Sequence, residues 1–263
     1  MGSATTQARA AAATVLDAAS SVDLSLAGEL FAAARAIGDS SHLSGALADS
    51  AAPAVARAQV VTDVFGRAVS PATLSLLATI VDQRWSSASD LIDGINEVAI
   101  RAAAIASPDD DIEGELFQFS RTVAANPELE LALGGRRGDS TAKGALIDDL
   151  LGGRASAATT LIVASIVRQT GERRVRQLLT SAMRTVADQR DRKVATVVSA
   201  TPLSVAQIER LSATLAKKYG TRVSLNTVID PAVVGGIRIQ IADDVIDASV
   251  SSRLADLRQR LAG

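Results

Sequence analysis

The chain has 263 residues, 48% hydrophobic but only 2% aromatic, with 27 basic and 29 acidic side chains, one histidine and no cysteine. That length can bury more than one core, and 50 alanines favour close-packed helices. The inventory excludes a Cys/His zinc centre and a cysteine nucleophile, and a net charge of -2 with few aromatics argues against nucleic acid as partner.

The stretch MGSATTQARAAAATVL has neither the apolar core nor the cleavage pattern of a signal peptide, and residues 5–20 read as an opening helix. A helix from about Ser25 to Ile37 follows, with Leu26, Leu30, Ala33 and Ile37 along one stripe. Short helices are expected near 42–50 and 54–68. Ser70-Pro71 places proline in the first turn of a helix reaching about Arg84, and another helix runs from Ser89 to Ala106. Ser107-Pro108 before Asp109-Asp110-Asp111 marks a boundary. Proline blocks continuation, and the acids favour the positive end of the next helix. The apolar run 157–167 is about half a membrane span and is closed by Arg168, so a soluble or at most peripheral protein is expected.

These helices are organised by an internal repeat. GELF at 28–31 recurs at 114–117, an offset of 86, and the offset holds without a gap. Leu43 meets Leu129, Asp63 meets Asp149, Gly66 meets Gly152, and Ile80-Val81 with Gln83 meets Ile166-Val167 with Gln169. Residues 28–101 set against 114–187 give 18 identities in 74 pairs. Apolar pairs keep their character too, as in Val60-Val61 with Leu146-Ile147. The expected organisation is one helical bundle over 1–107, a second over 108–191, and a different domain over 192–263.

Lys193 to Ser199 is β-branched and strand-like. Thr201-Pro202 breaks it. Ser204 then caps a helix, with Gln207 completing a capping box and Leu203 placed to staple onto Ile208. Val205, Ile208, Leu211 and Leu215 form the expected buried stripe, and Gly220 the stop. Arg222–Ile229 reads as a second strand and Val234–Ile241 as a third. Asp243-Asp244 reads as a turn and Val245-Ile246 as a short return strand. A final helix from about Ser249 carries a narrow seam of Val250, Leu254, Leu257 and Leu261. Asp230-Pro231 is expected to end a strand and stiffen the turn, Gly235-Gly236 to mark a bulge or a close backbone approach, and Asp247 and Ser249 to cap the last helix. The fold class is mainly α: a duplicated N-terminal helical bundle followed by a small C-terminal α+β domain.

Residues 223–257 resemble the C-terminal motif of the delta subunit of F-type ATP synthases, related to the oligomycin-sensitivity-conferring protein. The matching residues are Asp230-Pro231, Val234-Gly235-Gly236-Ile237, Ile239, Ile241, Val245-Ile246-Asp247, Ser249-Val250, Arg253-Leu254 and Leu257. Further matches are Ala200-Thr201-Pro202-Leu203-Ser204, Asn126-Pro127-Glu128-Leu129 and Gln169-Thr170-Gly171-Glu172-Arg173, so that the resemblance spans about residues 114–261. Ala242, Ala248 and Ser252 stand where the family usually has glycine or a similar residue, so the turns there are expected to differ in detail. The family usually has one helical N-domain, whereas this chain has two copies. Enlarged actinobacterial delta proteins, some fused to a membrane-spanning b subunit, are the nearest pattern.

The resemblance implies a non-catalytic stator subunit without cofactor, peripheral on the cytoplasmic face of a bacterial plasma membrane. Its helical domain would hold the alpha subunits of the catalytic head. Its C-terminal domain would meet a separate b subunit of the peripheral stalk, through Val250, Leu254, Leu257 and Leu261. Two other classes are a helical scaffold of another assembly and a Mg-dependent enzyme. The carboxylates at 109–111, or Asp230, Asp243, Asp244 and Asp247, are weak metal candidates; most read as caps and turns. RGDS at 137–140 reads as a loop. Gly138 to Lys143 lacks the second glycine, the Ser/Thr after lysine and the preceding strand of a phosphate loop. His42 reads as solvated, and with no G-x-S-x-G elbow it has no nucleophile to serve. Trp85, at a helix end, is either a core filler or a contact anchor.

Overall fold

Asp23, Ser40, Ser70, Ser87, Asp111, Asp139 and Ser156 each accept a backbone N–H from the first turn of a helix, and these caps divide the N-terminal part of the chain. The computed structural model describes every residue except 1, 20, 136–137, 172, 234, 242–243 and 251–263. In chain order the helices are α1 (Ser3–Asp17), α2 (Leu24–Asp39), α3 (Ser41–Ala48), α4 (Ala54–Phe65), α5 (Pro71–Asp82) and α6 (Ala88–Ala106). They continue as α7 (Ile112–Ala125), α8 (Pro127–Gly134), α9 (Ser140–Leu151), α10 (Ala157–Arg168) and α11 (Val175–Gln189). Contacts divide the chain into two units, Met1–Thr185 and Val186–Gly263, with the boundary inside α11.

Three helices of the first unit keep the 86-residue register to the residue. Bounds of α3, α4 and α5 shifted by 86 are those of α8, α9 and α10. Leu30, Ile80 and Val81 are buried, and so are Leu116, Ile166 and Val167 at the shifted positions. Shifted likewise, α1 falls within α6. The packing agrees: α1 lies on α5 and α6, and α6 in turn lies on α10. Thus α6 closes the first bundle and opens the second. The predicted stripe of α2 is buried as expected, at Leu26, Leu30, Ala33 and Ile37. Small residues let the repeats approach: Gly28 faces Leu161, and Gln169 donates to the Ala34 carbonyl at 3.3 Å beside Gly38.

In the second unit, β1 (Arg192–Ser199), α12 (Val205–Tyr219), β2 (Arg222–Ile229), β3 (Ile237–Ile241) and β4 (Asp244–Asp247) build a four-stranded sheet in the order β2-β1-β3-β4. β1 pairs parallel with β2, through the α12 crossover, and antiparallel with β3. The capping box of Ser204 and Gln207 is present, and Gly220 ends α12 at φ 69°. Ala195, Val197, Leu215, Val223, Ile239 and Ile241 form the core, with Leu203, Leu211 and Tyr219 against it.

Three expectations need correction here. Val205 is 72% exposed, because as the first residue of α12 it precedes the turn that reaches the sheet; the stripe starts at Ile208. Gly235-Gly236 lies before β3 and not inside it, at φ 66° and 79°. Asp244 belongs to β4 and not to the turn. The predicted terminal helix, with Arg253, Leu254, Leu257 and Leu261, lies outside the described residues, as do Ala242 and Ser252.

Candidate functional site

The GELF motif carries a half-buried anchor. Glu29 on α2 accepts from Ser70 N at 2.9 Å, Ser70 Oγ at 2.8 Å and Thr73 Oγ1 at 2.6 Å, at the start of α5. Glu115 on α7 accepts from Ser156 N at 3.0 Å, Ser156 Oγ at 2.7 Å and Thr159 Oγ1 at 2.5 Å, at the start of α10. Every atom pair is 86 residues from its counterpart. Each carboxylate also sits at a helix N-terminus, where the helix dipole favours negative charge. Burial alone would raise the Glu29 carboxyl, but the bonds from Thr73 and Ser70 outweigh it and hold it below the ordinary glutamate value.

A buried cation performs the opposite task at helix C-termini. Arg57 on α4, 5% exposed, donates to the carbonyls of Val81 (2.9 Å), Asp82 (3.0 Å), Asp49 (2.8 Å) and Ala52 (3.2 Å). It thereby joins the ends of α3 and α5, which carry negative partial charge. Its counterpart Lys143 on α9 is buried and donates to Gly135 O at 2.5 Å, as Arg57 does to Asp49. Lys143 is therefore a strut at the end of α8. Neither anchor was read from the sequence; the signal available was Glu followed 41 and 44 residues later by Ser and Thr, twice over.

The shared helix α6 is acidic toward both sides. Glu97 pairs with Arg9 of α1 at 3.3 Å, and Asp93 pairs with Arg173, just before α11, at 2.7 Å. Trp85 is 5% exposed, donates from Nε1 to Ile80 O at 2.8 Å, and lies so close to Gly94 that a methyl there would meet its ring at 2.1 Å. The structure thus puts Trp85 in the core of the first bundle. His42 is exposed on the first turn of α3.

In the second unit the motif residues converge on one corner. Asp230 N donates to Ser199 O at 2.9 Å, and Asp230 Oδ1 accepts from Ala232 N at 3.0 Å, which makes the turn at Pro231. Gly236 leaves no room for a side chain, since a Cβ would sit 2.4 Å from Ala248 O. Val250 N donates to Gly235 O at 3.1 Å and Ala248 N to Ile237 O at 2.9 Å, so residues 248–250 run beside 235–237. Asp247 Oδ1 accepts from Ser249 N at 2.9 Å, and the Ser249 side chain together with that backbone bond holds its carboxyl below the ordinary aspartate value. Among the described non-glycine residues only Asp191 has positive φ, so Ala248 occupies unstrained backbone. Val250 is 43% exposed and buried Ser249 lies beside it. The close-packed corner accounts for Gly235, Gly236, Asp230 and Asp247 in physical terms. Arg253 lies outside the described residues. Among the described residues no three His, Asp or Glu side chains are placed to hold a metal ion, and no helix is long and apolar enough to cross a membrane.

Residues 97–261 match the family model of the ATP synthase delta (OSCP) subunit. The chain belongs to that family. The match starts inside α6, so it takes in the second repeat and the sheet unit and leaves most of the first repeat outside. Longer relatives include the first repeat as well. The chain is 47% identical to ATP synthase subunit delta of Leifsonia xyli subsp. xyli over 100% of both chains. It is 40% identical to that of Streptomyces avermitilis over 98% of each. Among solved structures, a chain of the Toxoplasma gondii mitochondrial ATP synthase hexamer has 19% identity and a TM-score of 0.35, covering 64% of this chain and 97% of that one. At that score the likeness carries nothing further.

Proposed function

We propose that the chain works as a structural stator subunit of a proton-translocating F-type ATP synthase, a part of its peripheral stalk and not a catalytic subunit. The observation that carries this is the family match over residues 97–261 together with relatives aligned from end to end. The helical region, read as two bundles over 1–107 and 108–191, holds alpha subunits of the catalytic head. The domain over 192–263 meets the b subunit at the cytoplasmic face of the membrane. Packed bundles suit such work, because they offer grooves to amphipathic helices and transmit load through side chains already in contact. In this reading Val250, Leu254, Leu257 and Leu261 face b, whereas Trp85 serves the first bundle's core.

The test is add-back. Membranes stripped of this subunit lose ATP-driven proton pumping, and the purified full chain restores it. Failure to rebind stripped membranes contradicts the reading. Leu261→Asp should weaken binding to a b-subunit fragment and leave head binding intact, since a buried unpaired carboxylate is unfavourable. Equal loss of both would mean a shared site or unfolding.

A further inference from the structure

Helix α6 belongs to both repeats, and one polar face of it has no counterpart in the repeated scaffold. Asp93, Asn96 and Glu97 stand 86 residues before Leu179, Ala182 and Met183 of α11, which are buried and apolar. On α6 the three polar side chains line a cavity of about 140 Å³, enclosed further by α1, α2, α10 and α11. Phe31, Ile100 and Ile166 give it an apolar wall. A space of that size holds a few waters or one small polar guest.

The carboxylates of this cavity are engaged, whereas its donors are not. Glu97 pairs with Arg9 at 3.3 Å and with Arg101 at 2.9 Å, and Asp93 pairs with Arg173 at 2.7 Å. Three arginines therefore stand against two carboxylates. Arg9 Nε is buried and has no acceptor. Among the described residues no hydrogen bond engages the side chains of Asn96, Ser165 or Thr185, which also line the cavity. Buried donors without acceptors are unfavourable, so the site favours a guest rich in acceptors. Asp93 and Glu97 are four residues apart on one helix, a spacing of about 6 Å between Cβ atoms. The guanidiniums of Arg9 and Arg173, each held by one of them, thus flank a gap of the size of a tetrahedral oxyanion.

We propose that the cavity between α1, α6 and α11, at the junction of the two repeats, binds free inorganic phosphate. Arg9 and Arg173 meet its charge, Arg9 Nε and the hydroxyls of Ser165 and Thr185 donate to its oxygens, and the carboxylates of α6 accept from its protonated oxygen. Charge-assisted bonds from arginine are the strongest available to such a guest. A whole nucleotide exceeds the space, so the free anion is the form that fits. Once bound, it joins α1 to the residues before α11 and braces the first repeat against the second. The inference goes beyond the stator reading and does not depend on it.

The full-length protein is dialysed to equilibrium against labelled inorganic phosphate in a chloride buffer of constant ionic strength. Wild type should take up one phosphate per chain, and its unfolding temperature should rise with phosphate but not with an equal ionic strength of added chloride. Arg9→Gln and Ser165→Val should each weaken binding about tenfold or more. Ser165→Val removes a donor and fills space without touching an ion pair, so it keeps the inference falsifiable should Arg9→Gln loosen the fold. Arg184→Gln, on an exposed arginine outside the cavity, should leave binding unchanged. A loss in Arg184→Gln as large as that in Arg9→Gln would mean diffuse attraction to a basic surface and overturns the site. No saturable uptake by wild type overturns it too, and so does full retention of binding in both Arg9→Gln and Ser165→Val. MgATP that displaces phosphate at equal concentration overturns the assignment to the free anion. None of these outcomes bears on rebinding to stripped membranes, so the stator reading stands or falls separately.

Discussion

The first and second repeats solve one packing problem with different side chains. Glu29 and Glu115 make the same three bonds to the same helix start, so there the chemistry is retained atom for atom. The cation position has diverged: Arg57 bonds four carbonyls, whereas among the described residues Lys143 bonds one, that of Gly135. The forked guanidinium reaches several acceptors at once and an ammonium on a flexible stem does not. At Trp85 the repeats part completely, since Gly171 stands there in the second. The carboxylate that holds a helix start is kept, whereas the buried cation and the core aromatic have diverged.

The largest expected effect tests the cation. Arg57→Met strips a donor from four carbonyls and should lower stability by about 3 kcal/mol. Lys143→Met should lower it by about 1 kcal/mol. Urea unfolding followed by the single tryptophan, Trp85, and by circular dichroism measures both; equal losses would remove the distinction between the repeats. Next comes the space beneath that tryptophan. Gly94→Ala drives a methyl into the indole and should lower stability by about 2 kcal/mol, with a red shift of the emission. An unshifted spectrum would mean that the ring is not confined.

The carboxylate anchors should behave alike. Glu29→Ala and Glu115→Ala should each lower stability by about 1 to 2 kcal/mol, and a threefold difference between them would break the equivalence. Glu29 also adds a pH dependence whose sign is fixed. Its folded pKa lies below the ordinary glutamate value, so its contribution is complete above that ordinary value and is lost as pH falls through the folded pKa. Acid unfolding of Glu29→Gln should therefore be less steep than that of the wild type over this range. The smallest effect belongs to the second unit, where Gly220→Ala forces positive φ on a side chain and should lower stability by about 1 kcal/mol.

Much of this fold was legible because local signals agreed with tertiary packing. Ser70-Pro71 starts α5 as the cap rule requires, and Ser204 with Gln207 forms the box its spacing implies. Val205 misled because helical periodicity identifies a face but not where along it the sheet begins. The close backbone approach expected at Gly235-Gly236 is met at residues 248 and 249, but a β-rich neighbourhood hid that the pair precedes β3 and does not lie inside the strand. The anchors of Glu29 and Arg57 were invisible for another reason. Their partners lie 24 to 44 residues away or are backbone carbonyls, which no side-chain pattern advertises.

The most direct measurement is hydrogen–deuterium exchange of the full chain, alone and bound to the catalytic head. The account predicts new protection within the helical region, with the strands at 192–199 and 222–229 unchanged. Protection confined to residues 192–250 would contradict it.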